Sequence, residues 1–197
     1  MKPTVKSAAG MIIALLVMGV AVSAGVKTRS SFDKEYDFTK PKTFGWHPDG
    51  AGEVKMLQLS GDDPVKLLER FDPVFKDAIA TELTRRGLVL ATDGKPDIVV
   101  HYYVLIGPNS ESQFRGQFVG AVPPWGLPDF AMTTTSFKVF EQGTVVLDLM
   151  DATRKEIVWR GVAEAEINRE KYPAERDKRI RAGIADLLKK FPPKAKK

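Results

Sequence analysis

Ser31 and Lys34 have residue types and a spacing that could support catalysis. They match the pattern S-x-x-K, in which a lysine one helical turn after a serine helps to take the proton of the hydroxyl nucleophile. The chemistry requires a helix, whereas these two residues follow a segment with strand-like alternation. No Ser-Asp-Asn or Lys-Thr-Gly motif accompanies them in the sequence. The pair is compatible with a serine acyl-enzyme, but its context favours a structural role.

Asp148 and Asp151 form a second candidate set, with Glu141 on the preceding segment. Paired carboxylates act as acid and base when their surroundings separate their pKa values. Asp151 begins a predicted hairpin turn, where aspartate is a favoured residue. Asp148 alternates with Val146 and Met150 on the predicted outward face, which favours a solvated side chain. A hydrolase that uses these carboxylates is therefore the alternative to a non-catalytic protein.

The histidines and cysteines argue against metal chemistry. His47 and His101 are the only histidines and lie 54 positions apart, whereas metal sites draw on several ligands at close spacing. The alternation predicts that His101 shares an outer strand face with Asp97 and Tyr103, in a structural role. The sequence has no cysteine, which excludes disulfides, thiolate metal sites and cysteine nucleophiles. We therefore expect no metal and no cofactor.

Residues 107–130 are the best candidate for a binding segment. A connection of this length is uncommon without a function or disorder, and this one combines glycine and proline with large rings. Exposed aromatic side chains would suit a protein, lipid or glycan partner. The other interpretation is that the rings fold back over an open face of the sheet and close the core. The candidate binding residues are Phe114, Phe118, Trp125 and Phe130.

Length and charge restrict the classes of function. The chain has 197 residues, 43% hydrophobic and 28% charged, with a formal net charge of +5. Without its first 24 residues, which include Lys2 and Lys6, it keeps 173 residues and a charge of +3. That length suits one domain with its own core. The charge is too small and too dispersed for a nucleic-acid-binding face, and part of it lies in a basic tail at 192–197, which we expect to be solvated.

Residues 1–24 are typical of a secretory signal peptide. Lys2 and Lys6 precede an apolar run, and Val22-Ser23-Ala24 supplies small residues for cleavage before Gly25. The alternative is an uncleaved inner-membrane anchor, because residues 7–26 are a charge-free stretch of 20 residues, long enough to cross a bilayer. The sequence therefore predicts a periplasmic or otherwise exported protein that meets the membrane only if the leader is retained.

Hydrophobic periodicity predicts the elements of a single domain at 25–191. Strands are expected at 25–32, 42–46, 97–106, 132–141, 143–151 and 156–167, and 47–62 is expected to be a loop. Two Asp-Pro pairs predict a short helical turn from 64 and a main helix at 73–86, which Gly87 ends. Pro173 is expected to open a last helix, which Pro192-Pro193 ends. The predicted fold class is α+β, a mainly antiparallel sheet with two helices packed on one face.

Residues 157–165 predict how the last helix packs. Trp159 alternates with Gly161 and Ala163, which places the indole in the core and leaves room for a helix to approach closely. Arg160 is then expected on the other face, available for a surface ion pair. Trp46 is expected to cover an edge of the sheet.

Short motifs in a fixed order span nearly the whole chain after the leader: Phe38-Thr39, Thr43-Phe44-Gly45-Trp46, Arg86-Gly87-Leu88, residues 96–102, residues 143–151, Val158-Trp159-Arg160-Gly161 and Phe191-Pro192-Pro193. Together they resemble the domain of unknown function 4136 family of bacterial exported proteins, many of which are lipoproteins. The resemblance implies a fold and an envelope location, but no catalytic residues. The sequence departs from the lipoprotein members of the family, because Gly25 and Val26 stand where a lipidated cysteine would be, so we do not carry over their lipid anchor.

These observations together favour a non-catalytic binding or structural domain of the cell envelope. Its expected partner is an envelope protein, a lipid or a glycan, and not a nucleic acid. The alternatives are the carboxylate hydrolase and a structural subunit that the leader tethers to the membrane.

Overall fold

The computed structural model describes residues 26–56, 63–108, 141–166 and 175–193. Within them lie seven strands and two helices. In chain order these are β1 (Lys27–Phe32), β2 (Thr43–Trp46), β3 (Gly52–Met56), α1 (Pro64–Thr84), β4 (Val89–Leu90), β5 (Ile98–Pro108), β6 (Glu141–Asp151), β7 (Glu156–Glu166) and α2 (Arg176–Leu188). Several predicted segments lie outside the described residues: the leader, the aromatic residues of the 107–130 loop, Pro173 and the last four residues of the tail. Of the strand expected at 132–141, only residue 141 is described.

The strands form one mixed sheet with the order β1-β7-β6-β5-β2-β4, and β3 pairs with β5 beyond β2. The β1/β7, β7/β6 and β6/β5 pairs are antiparallel, as predicted. The prediction of a mainly antiparallel sheet is confirmed only in part, because the sheet is mixed: β2 and β3 both run parallel to β5, and β2 runs parallel to β4. The reason is that α1 connects β3 to the later strands, and a helical crossover returns the chain in its original direction. The α+β class stands.

Both described helices pack on the same face of the sheet, which we call the helix face. Its strand residues include Val100, Tyr102, Leu147, Leu149 and Trp159, all with no exposed surface. They form one apolar cluster with Phe75, Ile79 and Leu83 of α1 and Ile184, Leu187 and Leu188 of α2. The alternation that predicted an inward face for the long strands is therefore confirmed.

Helix α1 is continuous, which contradicts the predicted break before Pro73. Asp63 caps it, because its carboxylate accepts a hydrogen bond from the Val65 amide at 2.9 Å, and Pro73 lies inside it. Asp72 does not cap a second helix and instead accepts a hydrogen bond from the Tyr102 hydroxyl at 2.7 Å. A proline removes one helical hydrogen bond, but the apolar stripe that α1 buries on the sheet runs through this position and offsets that loss.

Strand β3 corrects the prediction of a loop at 47–62. Together β2 and β3 form one interrupted line along β5, because Trp46 pairs with Val100 and Gly52 pairs with Tyr102. The five residues 47–51 therefore lie opposite a single residue, His101. Glycine is required at position 52, where pairing with β5 resumes, because a Cβ there would overlap the Tyr102 ring.

The close approach of α2 to β7 agrees with the small residues predicted at 157–165. A Cβ on Gly161 would overlap the Trp159 ring and Leu187 Cδ1 of α2. The Trp159 indole also meets Phe191 edge to face, with ring centroids 5.6 Å apart. Trp159 is therefore a core residue, as predicted. Trp46 is half-buried against the same cluster, beside Phe44.

Arg86 joins the ends of the two helices. Its Nε donates to the carbonyl oxygens of Leu188 and Phe191 at 2.7 and 2.9 Å. Its Nη1 donates to the carbonyl and the carboxylate of Glu82 in α1. Gly87 follows with φ +91°, which agrees with its predicted role at the helix end because glycine adopts this conformation without strain.

Candidate functional site

The other face of the sheet, which we call the polar face, carries a row of polar residues across four neighbouring strands. Ser31 of β1 pairs with Arg160 of β7, Arg160 pairs with Asp148 of β6, and Asp148 pairs with His101 of β5. Residues paired in this way across antiparallel strands point to the same side of the sheet. The row therefore brings together members of all three sets that the sequence analysis considered for chemistry.

Asp148 and Arg160 form a bidentate ion pair at the centre of this row. Arg160 Nε and Nη2 donate to the two carboxylate oxygens at 2.5 and 2.6 Å. Asp148 is 3% exposed and Arg160 is 0% exposed. The predictions of a solvated Asp148 and a surface pair for Arg160 are therefore wrong. The alternation was correct, but the outward face is buried here as well.

The ion pair determines what Asp148 can do chemically. Burial raises the pKa of the Asp148 carboxyl, and the Arg160 guanidinium opposes that shift. Arginine stays protonated at any physiological pH, and both carboxylate oxygens already accept strong hydrogen bonds from it. The geometry is that of a fixed ion pair and does not present a free oxygen for proton transfer.

One donor of this pair has no acceptor within the described part of the chain. Arg160 Nη1 is buried and makes no hydrogen bond there. It lies on the guanidinium away from the carboxylate, because Nε and Nη2 hold Asp148. Buried donors are nearly always paired in native proteins, so an acceptor oxygen is expected to complete the polar face at this point.

A second apolar cluster flanks the polar row. Tyr103, Leu105, Val146 and Val162 pack together on the polar face and are at most 9% exposed. No residue of α1 or α2 belongs to this cluster, whereas the cluster on the helix face contains residues of both helices. The polar face therefore combines a buried ion pair with buried apolar surface, although neither described helix packs on it.

Asp151 has the turn role that the sequence predicts. Its Oδ1 accepts hydrogen bonds from the amides of Thr153 and Arg154 at 2.9 and 2.7 Å. Its Oδ2 accepts one from the Tyr36 hydroxyl at 2.9 Å, and burial with this contact raises the pKa of Tyr36. The carboxylate lies in the hairpin after the bulge that separates Leu149 from Met150. Both oxygens of Asp151 are therefore occupied by hydrogen bonds that stabilise this turn. The side chain of Glu141, the third carboxylate of this candidate set, lies outside the described residues.

Ser31 and Lys34 do not form a helical Ser–Lys pair. Ser31 lies in β1, and Lys34 is exposed in the turn that follows this strand. The helical geometry of the S-x-x-K chemistry is therefore absent. This agrees with the structural role that the sequence context favours.

His47 and His101 come together despite their separation in sequence. Their rings stack with centroids 4.9 Å apart and an interplanar angle of 19°, and His101 also contacts the Tyr103 ring at 4.7 Å. Burial, and after it the nearby His47, lowers the pKa of His101. Sequence reasoning missed this pair, because only the interrupted pairing of β2 and β3 along β5 brings the two residues together. No group of three or more potential metal ligands occurs among the residues with described positions.

Two further predictions concern the membrane and the binding loop. No helix in the described ranges is both long and apolar enough to cross a membrane. Phe114, Phe118, Trp125 and Phe130, the predicted binding residues of the 107–130 loop, lie outside the described residues.

Fold and site define a small α+β domain whose mixed sheet carries two helices on one face and a polar row on the other. The model of the family described as Domain of unknown function (DUF4136) matches residues 28–193. The chain belongs to this family, which confirms the resemblance found in its sequence. No curated protein matches the chain.

Solved structures share parts of this architecture at low sequence identity. A PDZ domain protein from Parabacteroides distasonis is 14% identical with a TM-score of 0.50, over 85% of this chain and 35% of that one. The present chain therefore spans about a third of that protein, and the likeness concerns the fold alone. The PelC dodecamer protein from Paraburkholderia phytofirmans is 10% identical with a TM-score of 0.41, over 83% of this chain and 94% of that one. Lipoprotein GNA1162 from Neisseria meningitidis is 10% identical with a TM-score of 0.33, over 75% and 98%.

Proposed function

We propose that this protein is a non-catalytic domain of the bacterial cell envelope that binds a partner protein through the polar face of its sheet. The observation that carries the proposal is the combination, on one face of the sheet, of buried apolar side chains with a margin that carries charges of both signs. Polar groups of a partner would pair with the accessible side chains of that margin, such as Lys27 and Glu53.

The state of the candidate catalytic groups supports a non-catalytic role. Asp148 is held by Arg160 through both oxygens, and Asp151 is held by the hairpin turn and by Tyr36. An acid–base pair needs at least one carboxylate that can reach a substrate. Neither oxygen pair is free for that task in this geometry.

The charges at the margin of the polar face favour a protein partner over an anionic lipid surface. Arg29 and Glu164 form an ion pair at 3.4 Å, and Lys55 and Glu53 form another at 2.6 Å. Lys27 pairs in register with Glu164 on the same side. Anionic membranes select clusters of basic residues, whereas a margin of both signs around buried apolar side chains is typical of protein interfaces.

The cellular location in this proposal comes from the leader at 1–24. Intact-mass measurement of the protein recovered from cells tests it. A mass that corresponds to a chain starting at Gly25 supports export with cleavage. A mass that corresponds to a chain retaining residues 7–26, in protein recovered with the inner membrane, would instead support the tethered structural subunit.

Site-specific photo-crosslinking in cells tests the binding surface. A photoreactive residue is placed at Lys27 or Glu53 on the margin of the polar face, and at Lys66 or Thr81 on the exposed side of α1 as matched controls. We expect discrete adducts of one size from the two polar-face positions and none from the α1 positions. The same adducts from all four positions, or none from the polar face, would contradict the proposal. From the sequence we also expect the aromatic residues of the 107–130 loop to contact the same partner.

A further inference from the structure

The stacked histidines lie at the interruption between β2 and β3. Pairing with β5 stops at Trp46 and resumes at Gly52. Two backbone hydrogen bonds hold the ends of the 47–51 connection against β5: the His47 amide donates to the Val100 carbonyl, and the Tyr102 amide donates to the Ala51 carbonyl, both at 3.0 Å. His101 is the residue of β5 between these two bonds, and its ring stacks on that of His47.

The neutral form of both imidazoles fits this arrangement. His47 Nδ1 accepts a hydrogen bond from the Asp49 amide at 3.3 Å, which requires that this nitrogen carry no proton. His101 Nε2 is buried and has no hydrogen-bond partner among the described residues. The two side chains are 25% and 13% exposed. Two imidazolium ions stacked at 4.9 Å would repel each other at a distance where little solvent separates them.

Charged groups around the stack come from several elements. Asp49 Oδ2 lies 3.9 Å from His47 Nδ1, but its side chain is 91% exposed, so solvent weakens its attraction. Glu53 Oε1 of β3 lies 3.9 Å from His101 Nε2, and Glu53 itself is paired with Lys55. Asp148 of β6 is the register neighbour of His101, but Arg160 of β7 holds both of its oxygens. Among the described residues, the carboxylates nearest the stack are therefore either exposed or already paired, so they offset only part of the cost of a charge on His101.

We propose that the stacked His47–His101 pair is an acid-sensitive latch, which holds the 47–51 connection against β5 when neutral and releases it when His101 takes up a proton. A proton on His101 places a charge in a buried stack, against the ring of His47. This charge weakens the two backbone bonds at the ends of the connection and uncovers the edge of β5 at Val100–Tyr102. The latch does not depend on the proposed partner.

The sign of the pH effect follows from the pKa of His101. Burial lowers this pKa below its ordinary value of 6.5 in the folded protein. The closed form therefore binds fewer protons than the open form between these two pKa values, so its stability decreases as the pH is lowered across that window. Above pH 6.5 the latch is fully closed, and acidification below that value opens it.

Amide hydrogen exchange measured by NMR on the full chain tests the latch. Exchange of the His47 and Tyr102 amides, corrected for the intrinsic effect of pH, is compared at about pH 7.5 and about pH 5.5, on either side of the histidine range. We expect their opening to increase by up to about tenfold, because pH 5.5 lies about one unit below the ordinary pKa of histidine. The Leu147 amide, in the central strand β6, is the internal reference and should not respond. Equal acceleration at Leu147 would mean global unfolding and would overturn the latch.

Two variants separate titration from packing. His101→Phe keeps an aromatic ring in the stack and cannot take up a proton, so the acid response should disappear. Glu53→Gln removes the carboxylate that favours the protonated form of His101, so the acid response should increase. If His101→Phe does not fold, the pKa of His101 is measured directly in the unmodified protein by NMR. A pKa at or above 6.5, or an unchanged acid response in either variant, would overturn the proposal.

Discussion

The centres of the two faces of the sheet are both buried, but by different means. On the helix face, Leu147 and Leu149 are fully buried among apolar residues of α1 and α2. On the polar face of the same strand, Asp148 is 3% exposed, and Arg160 satisfies it. Burial of a leucine is favourable by itself, at roughly 25 cal/mol per Å² of apolar surface. A buried charge is tolerated only with its partner. Substitutions on the helix face should therefore lower the free energy of unfolding in proportion to the apolar surface that they remove. On the polar face, the effect of a substitution should depend on whether Asp148 and Arg160 are changed singly or together.

Removal of one member of the ion pair should give the largest effect. Asp148→Ala leaves the Arg160 guanidinium buried without its carboxylate, and we expect the free energy of unfolding to fall by about 3–5 kcal/mol. Urea denaturation of both proteins measures this change.

The double variant Asp148→Leu/Arg160→Met is the matched control. It removes both charges and keeps similar volume, so it should recover most of the stability that Asp148→Ala loses. A double variant as unstable as Asp148→Ala would show that the polar face depends on the space these side chains fill and not on the balance of their charges.

The helix face was the part of the fold that the sequence could predict. Alternation along 143–151 and 157–165 identifies the inward residues, and Gly161 indicates where α2 approaches. Ile184 and Leu187 repeat at helical spacing, which places α2 on that face. The continuity of α1 could not be predicted, because the proline signal at 73 is local and the burial that overrides it is tertiary.

The polar face could not be predicted, because its signals depend on strand register. Asp148 and Arg160 alternate outward in the sequence, and a charged residue in that position usually meets solvent. Only the pairing of β6 with β7 places one beside the other. The contact between His47 and His101 likewise depends on the interruption between β2 and β3, which contains no hydrophobic alternation that could have revealed it.

Removal of the Arg86 side chain, which joins the ends of α1 and α2, should give the next largest effect. Arg86→Ala removes the donor that joins Glu82 to the carbonyls of Leu188 and Phe191. We expect the free energy of unfolding to fall by about 2–3 kcal/mol, because a buried carboxylate and three carbonyls lose a charged donor. The neighbouring Arg85 also contacts Glu82, but its side chain is 70% exposed. Arg85→Ala should cost less than about 1 kcal/mol in the same urea titration, and equal losses would contradict the distinction.

Two glycines allow a direct test of how tightly the helix face is packed. Gly161→Ala places a Cβ against Trp159 and Leu187, and we expect a loss of about 1–3 kcal/mol from overpacking. Gly183 lies within α2, and no atom of the described residues outside its own helix turn lies within 4 Å of its Cβ position, so Gly183→Ala should stabilise the protein by about 0.5–1 kcal/mol. Thermal unfolding of the two variants should therefore shift in opposite directions. Stabilisation by Gly161→Ala would show that β7 and α2 are not closely packed there, and destabilisation by Gly183→Ala would show that the space beside Gly183 is not open.

The smallest effect is expected at Asp97, which lies at the start of β5 outside both buried faces. Its Oδ2 accepts hydrogen bonds from the amides of Lys42 and Thr43 and from the Thr43 hydroxyl, all at 2.9 Å. The Lys42 amide, followed by Thr43, lowers the pKa of Asp97 below its ordinary value of 3.8. The resulting stability is complete above pH 3.8 and is lost as the pH falls through the folded pKa. Asp97→Asn removes this term, so the urea midpoints of the two proteins should differ near neutral pH and converge below pH 3.8. Parallel curves would show that these hydrogen bonds do not depend on the charge, in contrast to the ion pair on the polar face.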